Sequence, residues 1–123
     1  MNPIYNEVQR CNYLLDDKSH FLPNFHAGAA GYILSTVAGV SIAPNERVVV
    51  STGVHMEIPH GYFGKVEDLT AMSMRQGLIP AGGIIDSDYR GEIKVILINT
   101  GEYNVTFNKG DSVAQFILSL IHI

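Results

Sequence analysis

Cysteine is nearly absent: Cys11 stands alone in 123 residues. No intrachain disulfide can form, and one chain cannot build a thiolate metal site. Charge is also sparse, at 16% of residues, and the 8 lysines and arginines form no cluster. A phosphate-tracking nucleic-acid surface is therefore not expected. No apolar run reaches the length of a membrane span. The start, MNPIYNEVQR, lacks the basic-then-apolar order of a signal peptide. These absences lead us to expect an intracellular protein that is not secreted. Neither a membrane nor a nucleic acid is expected as its partner. Helical periodicity is scarce as well.

Strand alternation is plentiful. In GVHMEI, Val54, Met56 and Ile58 share one face, and His55 and Glu57 take the other. His55 is expected to face solvent. In YNVTFN, Tyr103, Val105 and Phe107 alternate with polar residues. IKVILIN is apolar on both faces, as in a strand covered on both sides. Pro, Gly and Asn turn signals separate these runs, the pattern of a β-sandwich or barrel. Only DLTAMSMRQGL reads as a helix, with Asp68 or Thr70 as its N-cap and Gly77 at its end. The length fits one domain over residues 1–123. So much apolar strand in so small a domain predicts self-association.

The histidines (His20, His26, His55, His60 and His122) lack metal-ligand spacing, so no residue is assigned to a metal. The glycine-rich AGAAG does not open a helix after a strand, which excludes a dinucleotide-binding βαβ unit. At the end of the chain Ile121 and Ile123 alternate. A PDZ ligand, read by a host protein through strand addition, has this form. So does a last strand packed on a neighbouring subunit.

The stretch AGGIIDSDYRGEIKVILINTGEYN, residues 81 to 104, resembles the third motif of the trimeric dUTPases (deoxyuridine triphosphate nucleotidohydrolases). AGAAGYILST resembles their first motif, GYFGKVEDLTAMSMRQGL stands in place of their second, and KGDSVAQFIL resembles their fourth. The resemblance implies an all-β, jelly-roll or β-clip subunit with at most one short helix. It also implies a homotrimer with sites between subunits, Mg²⁺ on the substrate phosphates, and cleavage of dUTP to dUMP and pyrophosphate. Asp86 matches the acid that activates the attacking water. Tyr89 matches the tyrosine under the deoxyribose. Thr70, Gly83 and Gln115 complete the substrate-binding set that the resemblance assigns.

Several places depart from the family pattern. Ile33 replaces an acid in the first motif. Asp68, Leu69, Thr70 and Ala71 replace Pro-Arg-Ser-Gly in the second. Ile79 replaces the residue that reads the uracil edge, and Pro80 beside it lacks a backbone donor. Ser112 replaces a common arginine. The glycine-rich fifth motif would lie beyond Ile123. Lost phosphate donors lower transition-state stabilisation. On side chains alone, the chain reads as a degraded, non-catalytic binding or regulatory protein of viral origin, retaining at most residual nucleotide binding. The rival reading is an active dUTP diphosphatase, or a nucleotidohydrolase with a changed substrate.

Overall fold

A computed structural model describes residues 11–16 and 31–121. Ten strands and one helix follow in order: β1 (Asn12–Leu15), β2 (Tyr32–Ser35), β3 (Val40–Ile42), β4 (Arg47–Glu57), β5 (Tyr62–Glu67), α1 (Thr70–Gln76), β6 (Leu78–Ala81), β7 (Ile84–Ile85), β8 (Glu92–Asn99), β9 (Val105–Phe107) and β10 (Ser112–Leu120). One four-stranded sheet runs β1-β4-β8-β6 and a second runs β2-β10-β5-β7; β3 and β9 form a separate pair. Every pairing is antiparallel. The expected all-β architecture with one short helix is what the chain adopts.

The alternation places the core. Val54, Met56 and Ile58 are buried, as are Ile93, Val95 and Leu97 of β8 and Phe116 of β10, and both sheets feed one apolar cluster. The other face of β8 differs from expectation: Lys94 is exposed, and Ile96 and Ile98 are half-buried in the single chain. Tyr103 also departs from its predicted strand. It lies in the bend before β9 and is 80% exposed, because the Asn99 side chain captures its carbonyl oxygen at 2.8 Å. Neither expected residue caps α1. Leu69 occupies the N-cap in extended conformation with no side-chain cap bond, while Gly77 ends the helix in the left-handed region as predicted. Among the described residues no helix is long and apolar enough to cross a membrane.

One irregularity matters for the site. Along β4, Ser51 pairs with Lys94 and His55 with Glu92, so four steps on β4 meet two on β8. Gly53 absorbs this bulge with φ of 68°, a conformation costly for a residue with a Cβ. Glu92 holds the bulge by accepting from Gly53 N at 2.8 Å and from Ser51 Oγ.

Candidate functional site: an acidic turn beside a cleft

The chain passes from the first sheet to the second between β6 and β7. Gly83 makes the crossing feasible, since a Cβ there would lie 2.5 Å from the backbone oxygen of Val66. Instead, Val66 N donates to Gly83 O at 2.7 Å and draws β7 onto β5. Two residues of β7 then deliver Asp86 into a tight turn.

That turn is braced at several points. Tyr89 N donates to Asp86 O at 3.1 Å. The Arg90 guanidinium reaches back, donating from Nη1 to Ser87 O at 2.6 Å and to Tyr89 O at 3.2 Å. Tyr89 Oη donates to Glu92 O at 2.6 Å, while the residue as a whole stays 41% exposed. Asp86 and Asp88 are both exposed. The turn borders an open cleft of about 490 Å³ that Ile84, Ile85, Glu92 and Lys94 also line. Chemically the cleft offers a solvent-reachable carboxylate and an aromatic face from one turn, with Lys94 of β8 beside them.

Thr70 and Gln115 lie elsewhere. Gln115 pairs with Glu67 at the far end of β5, and its Nε2 donates to Asp68 O at 2.9 Å. Thr70 is the exposed first residue of α1. Ile85 pairs with Gly64, so Asp86 stands near the head of β5. At about 3.3 Å per residue, roughly 16 Å of strand separates it from Asp68. Of the expected site residues, one chain brings together Asp86 and Tyr89, while Gly83 lies against Val66, beside the Glu67 that pairs with Gln115. The same chain groups Thr70 with Gln115 at the opposite end.

His55 does not simply face solvent as predicted. Its Nδ1 bonds to Arg90 O at 2.9 Å, and its Nε2 lies 3.4 Å from Asp16 Oδ2. Local sequence held no signal for this, because the contact depends on the bulge. The exposed Ile121 donates its N–H to Gly61 O at 2.9 Å, so its backbone already continues the sheet pairing. Ile123 lies outside the described residues, as do His20, His26 and His122.

The sequence profile of the family described as dUTPase matches residues 17–123. The chain belongs to the dUTPase family. It is 43% identical over 94 residues to the deoxyuridine 5'-triphosphate nucleotidohydrolase of Paramecium bursaria Chlorella virus 1, spanning 76% of this chain and 67% of that one. It is 44% identical over 100 residues to the enzyme of the same name from an Anaeromyxobacter strain, spanning 79% and 68%. Its fold matches the native EIAV dUTPase with a TM-score of 0.83 at 30% identity, covering 92% of this chain and 90% of that one.

These dUTPase relatives overturn the non-catalytic reading. Chains this similar carry the name of the hydrolase, and they come from a bacterium as well as a virus. No side chain caps α1; Met72 N and Ser73 N donate to Leu69 O at 2.9 and 3.1 Å, which leaves Thr70 N and Ala71 N at the helix start where Leu69 has replaced arginine.

Proposed function

We propose that this chain is the subunit of an active dUTP diphosphatase that forms a homotrimer. The observation that carries this reading is the braced Asp86–Tyr89 turn open to its cleft, in a chain 43% identical to a named dUTP nucleotidohydrolase. Asp86 accepts the proton of a water whose oxygen attacks the α-phosphorus. The bond from that phosphorus to the bridging oxygen breaks, and pyrophosphate leaves. Tyr89 offers its ring to the deoxyribose. Thr70, with the N–H groups that open α1, receives phosphate oxygens. Gln115 holds the start of α1 through Asp68, and Gly83 seats β7.

The separation of these two groups along β5 supports assembly. A site that uses both needs Asp86 from one copy and Thr70 from another, and the half-buried Ile96 and Ile98 offer apolar surface for the contact. The partners proposed are therefore further copies of the chain and the nucleotide. Among the described residues, no group of three or more His, Cys, Asp or Glu is placed to hold a metal. Mg²⁺ carried on the substrate would offset the charge of the triphosphate.

Pyrophosphate release from each dNTP, with purified protein and Mg²⁺, tests the proposal. Turnover of dUTP that Asp86→Ala abolishes supports it. Full turnover in Asp86→Ala, or a preference for another nucleotide, overturns the assignment. Sedimentation at micromolar concentration tests the trimer, and a monomer there refutes it.

A further inference from the structure

The catalytic turn is braced from outside the cleft as well as from within. Arg90 borders both the 490 Å³ cleft and a second, smaller cavity of about 240 Å³ behind it, which Leu14, Met56 and His55 also line. His55 is the polar side chain that reaches the turn from this rear side. Arg90 O can only accept, so His55 Nδ1 carries the proton in their 2.9 Å bond. The Arg90 side chain in turn holds Ser87 O and Tyr89 O. His55 thus grips the backbone of the residue whose guanidinium shapes the turn.

The fold goes to some length to place this imidazole. The bulge at Gly53 sets His55 opposite Glu92, at the root of the turn. The same bulge fixes the residue on the other side of the ring: Asp16 N donates to Gly53 O at 2.9 Å, and Asp16 Oδ2 lies 3.4 Å from His55 Nε2. Bulges re-aim side chains next to active sites.

We infer that His55 is a positioning residue for the Asp86–Tyr89 turn, acting through the Arg90 carbonyl. The inference rests on the dUTP diphosphatase reading of that turn. His55 acts on the turn through its backbone rather than on the reacting atoms. It sets where the Asp86 carboxylate stands, and a displacement of about 1 Å in such a group can cost ~100-fold in rate.

The test compares His55→Ala and His55→Asn in the full chain, with dUTP and Mg²⁺. His55→Ala is expected to lower kcat by roughly tenfold or more, with KM and thermal midpoint changing little. His55→Asn returns a donor near the Nδ1 position and is expected to recover most of the loss. A kcat in His55→Ala equal to that of the unmodified protein overturns the inference. So does a loss that His55→Asn does not recover. If His55→Ala fails to fold, His55→Gln, whose longer arm displaces the donor, takes its place under the same criteria. Asp86→Ala is run alongside. If Asp86→Ala is inactive and His55→Ala is fully active, only the role of His55 fails. If Asp86→Ala is fully active, the reading of the turn itself fails.

Discussion

Gln115 and Asp68 are joined across 47 residues by a 2.9 Å hydrogen bond from the side-chain amide to the backbone carbonyl. The glutamine belongs to β10 and the carbonyl to the lead-in of α1, so this one bond fixes where the helix begins. Gln115→Leu leaves the carbonyl without that donor and is expected to cost about 1–3 kcal/mol. If the phosphates dock at α1, KM for dUTP rises while kcat falls less. Steady-state kinetics and urea unfolding on the same preparation check both parts.

Tyr89 makes a separable pair of contributions. Its hydroxyl braces Glu92 O, and its ring remains partly open to the cleft. Tyr89→Phe removes only the brace, worth about 0.5–1.5 kcal/mol, and should leave the preference for dUTP over UTP intact. Tyr89→Ala removes the ring and should erode that preference. The ratio of kcat/KM for the two nucleotides is the measurement.

Asn99 is fully buried and makes three bonds: Nδ2 to Ile42 O at 2.9 Å, Nδ2 to Tyr103 O at 2.8 Å, and Oδ1 from Gly101 N at 2.9 Å. Asn99→Leu keeps the size of the side chain but strands all three backbone partners. A loss of roughly 3 kcal/mol is expected, seen as a lower urea midpoint.

Cys11 gives a prediction in pH. Burial, opposed by Arg90 and aided by Glu57, holds its thiol up from 9.0 to about 11. The folded state therefore holds the proton that the unfolded state releases first. The neutral thiol leaves stability unaffected below pH 9, and stability falls as pH rises from about 9 to about 11. Cys11→Ser should flatten that alkaline fall in thermal midpoint. Alkylation of Cys11 in the folded protein should be far slower than in urea.

Some of this was legible in the sequence and some was not, for physical reasons. Alternation exposed the core faces of Val54, Met56 and Ile58 because a strand has a period of two residues. Gly77 marked the end of α1 because a left-handed cap favours glycine. Asp86 and Tyr89 were found through their motif. Three other features were not legible. Leu69 at the N-cap has no capping chemistry to announce it. The tie from Gln115 ends on a backbone atom, which has no residue identity. The role of His55 depends on two extra residues absorbed at Gly53, which shifts its partner in a way that pairing by alternation cannot foresee. The non-catalytic reading failed because it weighed single departures such as Leu69 and Ile79 above the likeness of most of the chain to named dUTP nucleotidohydrolases.

The opposite placement of Asp86 and Thr70 along β5 has a consequence for defective copies. If neighbouring chains complete one another's sites, two inactive proteins, one altered at Asp86 and one at Thr70, should regain activity when unfolded and refolded together. Some mixed assemblies would then pair a sound half from each. By the same logic a copy altered at one of these residues silences one site and a copy altered at both silences two, and activity falls faster than concentration on dilution. In that sense the unit of function is a junction between chains rather than a chain.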